Sequence, residues 1–243
     1  MLQQSKKLSK RLLSLALAAF VVISMAGFSS IPAKAAEGSV SGGDEITEDG
    51  TYTLAEGATG TITIGDNLDV TINGNSYGSE RESFTTAYTD LNLVVGNGST
   101  LTIEDLYVTV AEDANSIIDF SGDGELIISG KNLLDRPDGY GSNATIHVGP
   151  QSSVVFDGDG YLWGYKHAAG SFIGSNANEV CGNVTFNGGT WMMKASKTGA
   201  LIGQDSTEAA TGKITINGGT IYLKAVARGS LLGASAQGKA PDV

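Results

Sequence analysis

The sequence predicts an all-β protein built as a right-handed parallel β-helix, and two observations carry that prediction. Residues 182–203 and 212–233 are identical at eleven of 22 positions with an offset of 30, and an internal period of this size is typical of solenoids, propellers and arrays. Within each repeat, short runs rich in β-branched residues alternate with period two and are interrupted by Gly and Asn.

A shorter motif, in which an apolar–x–apolar triplet precedes a polar residue and then Gly or Asp, extends the repeat upstream. It ends at Gly74, Asp105, Gly130, Gly158, Gly188 and Gly218, so the spacing predicts about six coils of 25–31 residues. A propeller blade needs four strands and ~40 residues or more, so these units are too short for a propeller. We expect strands at residues 184–187, 190–195 and 200–203, and again at 214–217, 220–225 and 230–233.

The alternation in the first strand of each coil predicts which side chains fill the core. Thr185 and Thr215 should face outward between inward apolar positions. The expected inward residues are Val154, Phe156, Val184, Phe186, Ile214 and Ile216. At the following corner, Asn187 and Asn217 should stack in an amide ladder, with Asp157 in the same position one coil earlier. Gly188 and Gly218 come next, where we expect a positive φ.

The second strand of each coil is rich in aromatic residues. Alignment of the coils pairs Tyr161 with Trp191 and Trp163 with Met193, and places all four inside together with Ile221 and Leu223. The expected outward residues are Thr190, Met192 and Lys194 in one coil and Thr220, Tyr222 and Lys224 in the next.

The first 35 residues have the organisation of a secretory signal peptide. Basic residues at positions 6–11 precede an apolar run at 12–28, and Ala33-Lys34-Ala35 has the pattern of a cleavage site. An uncleaved membrane anchor is the alternative, although the run of 17 residues is shorter than the ~20 that a spanning helix needs. We expect a secreted chain with a single domain at residues 36–243, which meets a membrane only through its signal.

The charge is strongly acidic and unevenly distributed. The net charge is −11 for the whole chain and −16 without the first 35 residues, from 10 basic and 26 acidic side chains. Residues 36–130 contain 18 acidic side chains and one basic, whereas residues 131–243 contain eight acidic and nine basic. This balance argues against a nucleic-acid partner, which needs clustered Lys and Arg. The acidic half suits either a solvated surface or the binding of Ca²⁺.

Several segments resemble known β-helical proteins of Gram-positive bacteria. DGTYTL at residues 49–54, DVTING at 69–74 and GDGELIISGKNLLD at 122–135 are similar to β-helical carbohydrate-binding domains that associate with calcium. The repeated INGGT pattern, with its closing G(A/S)(L/I)(I/L)G, resembles Gly-rich β-helical repeats of secreted and surface proteins. The resemblance covers about residues 45–233. It implies a cell-surface or extracellular adhesin-like protein whose partner is a polysaccharide or a cell-wall glycan.

Aromatic and basic side chains in the C-terminal coils are the candidates for a carbohydrate site. Tyr and Trp combine an apolar ring with a polar tip, which suits contact with a sugar. The candidate residues are Tyr161, Trp191 and Tyr222, with Lys194 and Lys224 as a cationic strip for an acidic polysaccharide. Trp163 belongs to the same aromatic cluster, and the alternation leaves open that Trp163 and Trp191 fill the core. We predict a polysaccharide-binding module that acts through repeated contacts along one face.

Two acidic groups are candidates for a metal, with Ca²⁺ as the ion considered. Asp119 and Asp123 form one group near Glu125, and Asp157 and Asp159 form the other. The first could equally be a solvated loop, and Asp157 could be a structural corner. His147 and His167 lack the Cys and His spacing of a transition-metal site. Cys181 has no partner for a disulfide within the chain, since it is the single Cys.

A parallel β-helix also carries polysaccharide lyases and glycosidases, so an enzyme is an alternative. The arginines available as a lyase base are Arg81, Arg136 and Arg228, and none has a carboxylate cluster at the coil spacing. A glycosidase needs two carboxylates, for which Asp157 and Asp159 are the best local pair. We predict no enzyme. A structural or adhesive repeat protein without a small ligand is the other alternative.

The sequence after Gly233 restarts like a coil but changes at a critical position. Gly238-Lys239 matches Gly212-Lys213, whereas Pro241 stands where the pattern calls for Thr. Because Pro cannot donate to a strand ladder, the last coil should leave an open edge. We expect that edge either to meet a partner or to continue into a segment missing from this chain.

Overall fold

The structure is a computed structural model, and it describes residues 36–78, 83–110, 115–136, 141–167, 169–195, 198–206, 208, 212–225 and 229–234. The predicted signal at residues 1–35, Arg81, Arg228 and the restarted coil after residue 234 lie outside these ranges. In the part of the chain that is described, no helix is long and apolar enough to cross a membrane.

The described residues form 24 strands, numbered in chain order. The first eight are Ala36–Val40 (β1), Glu45–Ile46 (β2), Gly50–Leu54 (β3), Gly60–Ile64 (β4), Asp69–Asn73 (β5), Tyr77–Gly78 (β6), Ser83–Phe84 (β7) and Tyr88–Thr89 (β8). The next eight are Leu91–Val95 (β9), Ser99–Glu104 (β10), Tyr107–Thr109 (β11), Ile118–Phe120 (β12), Gly124–Ser129 (β13), Lys131–Arg136 (β14), Ile146–Val148 (β15) and Ser153–Gly158 (β16). The last eight are Tyr161–Lys166 (β17), Ile173–Ala177 (β18), Asn183–Phe186 (β19), Thr190–Ala195 (β20), Ile202–Asp205 (β21), Ile214–Ile216 (β22), Thr220–Ala225 (β23) and Leu232–Ala234 (β24).

These strands form three long parallel sheets, which we name A, B and C. Sheet A has the order β1-β3-β5-β10-β13-β16-β19-β22, and sheet C has the order β2-β4-β9-β12-β15-β18-β21-β24. Sheet B has the order β8-β11-β14-β17-β20-β23. From β10 onward, successive strands enter sheets A, B and C in turn, so each coil contributes one strand to each sheet. Strands β6 and β7 pair with each other antiparallel as a separate hairpin.

The predicted fold class, an all-β parallel β-helix, is confirmed. The number of turns differs slightly from the expected six, because the strands from β10 to β24 form five complete coils with one strand in each sheet. The first four strands, β1 to β4, alternate between sheets A and C before the third sheet begins. The predicted strands 190–195 and 220–225 match β20 and β23, and the strand expected at 200–203 occupies Ile202–Asp205.

The core is a continuous apolar column enclosed by the three sheets. Val154, Val184 and Ile214 occupy equivalent positions in neighbouring coils of sheet A and are all buried, as the alternation predicts. Phe156 and Phe186 stack with their ring centroids 5.1 Å apart. Ile216 was expected inside but is 47% exposed. It lies in the outermost strand of sheet A, where no further described coil covers it.

The predicted facing of strand β17 is wrong by one residue. Tyr161 pairs with Thr190, and Trp163 pairs with Met192, so both aromatic side chains lie on the outer face of sheet B. Leu162 occupies the inward position instead. A shift of one residue along a strand moves every side chain to the opposite face. The coil of β16 and β17 has one extra residue before its second strand, because five positions separate Phe156 from Tyr161 but only four separate their partners Phe186 and Thr190. An alignment at a constant offset of 30 ignores this insertion.

Gly164, the next inward position, shows why the strand can accept this facing. A side chain there would collide with the Phe172 ring, because an added Cβ would lie 2.0 Å from Phe172 Cζ. Phe172 is fully buried and fills the space that Gly164 leaves. The core space beside Gly164 is therefore filled by Phe172 of the following loop, which strand alternation alone does not reveal.

The corner after the first strand follows the prediction in one respect and departs from it in another. Asn217 Nδ2 donates to Asn187 Oδ1 over 3.0 Å, which is the expected amide ladder. The positive φ angles, however, occur one residue later than predicted, at Gly189 (78°) and Gly219 (83°). The backbone therefore turns after the second Gly of each Asn-Gly-Gly sequence.

Candidate functional site

The outer face of sheet B carries two parallel rows of side chains that run across the strands. The register joins one residue from each strand into a first row, composed of Tyr107, Leu133, Trp163, Met192 and Tyr222. Two residues further along each strand lies a second row, composed of Thr109, Asp135, Tyr165, Lys194 and Lys224. Strands in a sheet lie ~4.8 Å apart, so both rows run along the axis of the solenoid.

A groove with a volume of about 650 Å³ lies between the C-terminal parts of the two rows. Its floor is formed by Gly164, Met193 and Leu223, the residues that stand between the rows in β17, β20 and β23. Its two sides are Trp163, Met192 and Tyr222 on one side and Tyr165, Lys194 and Lys224 on the other. Residues two apart in a strand are ~6.7 Å apart, which sets the width of the groove.

The aromatic side of the groove contains Trp163, which is supported by a neighbouring ring in its own strand β17, and Tyr222, which is exposed in β23. The rings of Tyr161 and Trp163 stack with centroids 5.7 Å apart and an interplanar angle of 14°. Tyr161 therefore braces one face of Trp163, while Trp163 also lines the groove. Tyr222 is 59% exposed. This side of the groove thus offers two aromatic side chains, Trp163 and Tyr222, with the flexible thioether of Met192 between them.

The opposite side of the groove is cationic. Lys194 and Lys224 are paired neighbours in β20 and β23. The Lys194 Nζ lies 5.3 Å from the centroid of the Tyr165 ring, a cation–π contact that holds its side chain toward β17. No Asp or Glu is among the described residues that line the groove. The groove is therefore basic on the surface of a strongly acidic protein.

The predicted carbohydrate residues divide between this groove and the core. Tyr222, Lys194 and Lys224 line the groove, and Tyr161 is exposed beside it. Trp191 is completely buried, and its Nε1–H donates to the Gly188 carbonyl oxygen over 2.8 Å. The Trp191 ring is therefore unavailable to a ligand, as the alternation had allowed.

Trp163, Tyr165 and Met192 are groove residues that the candidate set did not include. The signal that could have found two of them is the alternation Tyr161-x-Trp163-x-Tyr165, which puts three aromatic residues on one face of a strand. The alignment obscured it, because pairing Trp163 with Met193 placed the strand with the wrong side outward.

Three of the four carboxylates in the two acidic groups considered for calcium contact groups of the protein itself. Asp123 Oδ1 accepts the Ser153 backbone N–H over 2.8 Å, and Asp157 Oδ1 accepts the Gly158 N–H over 2.7 Å. Asp159 is exposed, and Asp119 contacts His147. Within the described ranges, no group of three or more His, Cys, Asp or Glu side chains is arranged to hold a metal ion.

A cluster of ionisable groups joins sheet C to the loop after β18, with Asp119 in β12, His147 in β15 and Glu179 in the loop. Asp119 Oδ1 is 2.7 Å from His147 Nδ1, and Glu179 Oε2 is 2.8 Å from His147 Nε2. Burial alone would lower the pKa of His147, but the hydrogen bonds and charges of the two carboxylates outweigh burial and raise it to about 9. The hydrogen bond from His147 in turn lowers the pKa of Glu179. At neutral pH the cluster is therefore an imidazolium held between two carboxylates of neighbouring coils.

A hollow of about 370 Å³ adjoins this cluster, with Ser121 and Ser152 among its lining residues. A hydrolytic triad would need a Ser hydroxyl on the free nitrogen of the imidazole. Both nitrogens of His147 already face carboxylates, so the arrangement is that of a structural ion pair between coils.

The pH dependence of stability should report this ion pair. Because the pKa of His147 is raised above its ordinary 6.5, its stabilising contribution is complete below pH 6.5 and disappears as the pH rises through about 9. We expect His147→Gln to lower the free energy of unfolding by up to about 3 kcal/mol near pH 6 and by much less near pH 10. Urea denaturation of both proteins across this range measures the difference. A difference that does not change with pH would contradict the assignment.

Two further cations are buried at the C-terminal ends of two middle strands of sheet B. Arg136 and Lys166 are paired neighbours in β14 and β17, and burial lowers the pKa of Lys166 to about 7. Lys166 Nζ donates to the carbonyl oxygens of Gly170 and Thr198, and Arg136 Nη2 donates to that of Asn115 over 2.6 Å. These cations tie loops of successive coils to the sheet. Arg136, one of the arginines considered for a lyase, is therefore not a surface base.

Cys181 is buried as well, and burial raises the pKa of its thiol to about 12, so it is not poised as a nucleophile.

Comparisons with known proteins do not add a family to this architecture. The chain matches no family model, no curated protein and no solved structure. The similarity to calcium-associated carbohydrate-binding domains therefore remains a resemblance of short motifs. The groove on sheet B has to be interpreted from its own chemistry, and what is established for the chain is a parallel β-solenoid with that groove on one outer face.

Proposed function

We propose that the protein is an exported glycan-binding module, and that its binding site is the groove on sheet B. The observation that carries the proposal is the side-by-side arrangement of aromatic and cationic rows along one groove. Ligand sites are typically apolar concavities with a few placed polar groups, and this groove has that composition. Tyr and Trp can contact the apolar face of a sugar ring while their polar atoms meet its hydroxyls.

The two lysines favour an acidic polysaccharide over a neutral one. Lys194 and Lys224 follow each other at the strand spacing, so a linear chain along the groove meets both of them. The groove lies in the half of the protein where basic and acidic side chains nearly balance. Direct contact with lysine makes calcium bridging unnecessary at this site. The proposed partner is therefore a polysaccharide or cell-wall glycan outside the cell, with export directed by the signal at residues 1–35.

Binding without cleavage is part of the proposal. Hydrolysis of a glycosidic bond by the usual route needs two carboxylates at the scissile bond. The described residues that line the groove include neither Asp nor Glu. Release of reducing or unsaturated sugars from a bound polysaccharide would contradict this part of the proposal.

A glycan array probed with and without a calcium chelator tests the function, followed by titration calorimetry on the best ligand. We expect an acidic glycan to bind equally well in both conditions. Tyr222→Ala should weaken its affinity about tenfold, which corresponds to about 1.4 kcal/mol, because the exposed ring is lost. Tyr222→Phe keeps the ring and should stay close to the parent protein.

A control and a contrary outcome complete this test. Tyr52→Ala removes a tyrosine from sheet A, whose hydroxyl donates to the Glu48 carbonyl oxygen, and should leave glycan affinity unchanged. Lys194→Ala should weaken the acidic glycan more than a neutral one, because only the acidic chain loses a charge contact. An array without any bound glycan, or equal affinity of Tyr222→Ala and the parent protein, would remove the groove as the site.

A further inference from the structure

The hairpin of β6 and β7 lies over the N-terminal part of the first row on sheet B. The ring centroid of Phe84 is 5.5 Å from that of Tyr107 and 6.1 Å from that of Trp163. Tyr107 and Trp163 belong to strands β11 and β17, and Leu133 of β14 stands between them in the row. A ring close to both flanking residues has to lie over the intervening one. Phe84 therefore covers the first row at strand β14.

The hairpin is held in this position by contacts of its own. Tyr77 packs edge-on against Phe84, with the centroids 5.4 Å apart. Lys131 of β14 donates from Nζ to the Tyr77 hydroxyl over 2.5 Å and also lies 4.3 Å from the centre of the Tyr77 ring. Tyr77 and Phe84 are paired residues of β6 and β7, and the contact of Tyr77 with Lys131 attaches this pair to sheet B. These contacts hold the Phe84 ring in its position over the row.

The path along the second row is also blocked at strand β14. Its member in β14 is Asp135, directly beside Tyr165 in the register. One carboxylate oxygen of Asp135 is buried, so this position is filled as well as acidic. Leu133 is the single residue of β14 that lines the groove, and no residue of β11 does so within the described chain. The groove therefore ends at strand β14, where Leu133 and Asp135 stand on its two sides.

We infer that the groove is blind at strand β14 and takes the end of a glycan chain, not an internal segment of it. This inference rests on the proposed function of the groove. A polysaccharide that passed straight through would have to continue over β14 and β11, where the Phe84 ring and the Asp135 carboxylate occupy the path. Phe84 and Asp135 are then the residues that select chain ends.

The stoichiometry of binding separates chain-end from internal recognition. The probes are linear galacturonan, which is acidic, and linear xylan, which is neutral, each prepared as tetramers, dodecamers and chains of about thirty sugars. Titration calorimetry of the full protein with each length gives the number of protein molecules per chain. For the series that binds, we expect one protein per chain at every length and dissociation constants per chain within about threefold, because each chain has one end of the recognised kind.

The outcomes also distinguish this inference from the function on which it rests. A protein-to-chain ratio that rises with chain length would overturn end recognition while leaving glycan binding intact. No binding by either series at any length would overturn both. In the double variant Phe84→Ala, Asp135→Ala, which removes both side chains that close the groove, we expect the ratio to rise with length. Tyr222→Ala should weaken affinity for all lengths alike and keep the ratio at one, as a matched control within the same groove.

Discussion

Replacing Gly203 by alanine is expected to prevent the C-terminal coils from folding. Gly203 has a φ of 133°, a backbone conformation that residues with a side chain rarely adopt. An added Cβ would also lie 1.9 Å from the Gly233 carbonyl oxygen in the next coil. That atom belongs to the backbone of a paired strand, so it cannot move aside without breaking the register of sheet C. Strain and collision together should cost at least about 4 kcal/mol.

The same arrangement recurs one coil earlier in sheet C, so the same loss of folding is expected when the equivalent glycine is replaced. Gly174 has a φ of 135°, and its added Cβ would lie 1.9 Å from the Gly203 carbonyl oxygen. Circular dichroism and the yield of soluble protein measure the effect. Gly38→Ala is the control, since its Cβ would meet only the Tyr52 ring at 3.5 Å. A Gly203→Ala protein as stable as Gly38→Ala would show that these coils are not stacked as closely as described.

Trp191→Ala is expected to lower the free energy of unfolding by about 3 to 5 kcal/mol. Among the residues that the structure describes, the indole is the largest fully buried side chain. It packs edge-on against Phe156 and Phe186, with centroids 5.6 and 5.5 Å away. The parallel sheets around it are hydrogen-bonded ladders that cannot close around the cavity, so most of the loss should remain. Its hydrogen bond to Gly188 would be lost too, leaving a carbonyl without this donor.

Chemical denaturation of Trp191→Ala beside Tyr222→Ala gives the sharpest comparison. Both residues are aromatic and lie in adjacent strands of sheet B, but Tyr222 is exposed where Trp191 is buried. Tyr222→Ala should change stability by no more than about 0.5 kcal/mol. The two substitutions should therefore affect different properties. Trp191→Ala lowers stability, and Tyr222→Ala lowers glycan affinity. Equal losses of stability would contradict the facing assigned to sheet B.

The repeat and its alternation were sufficient to predict the class of fold and most strands of the C-terminal coils. Val184 and Phe186 are buried as expected because their coil repeats the next one at a constant offset. Strand β17 was assigned the wrong facing because its coil has one extra residue, and period-two alternation reverses with a single slip. The irregular coil therefore defeated the argument that succeeded in the regular ones.

The groove shows a similar division. Tyr222, Lys194 and Lys224 could be identified because they belong to a coil whose alternation was correctly placed. Trp163 could not be assigned to the outer face, since that depends on Phe172 filling the space beside Gly164. The cover formed by Phe84 joins residues far apart in the sequence, so no local pattern indicates it. Its contact with Trp163 exists only because the coils stack.

The sequence by itself determined that this chain repeats, that each repeat is β-structure, and that its C-terminal coils combine aromatic and basic residues. These properties are local, because period-two alternation and turn residues depend on neighbours along the chain. Only the tertiary structure decided which aromatic residues face outward, that His147 joins carboxylates from two other coils, and where the groove ends. Each depends on the register between coils, which is set by packing between residues about one repeat apart.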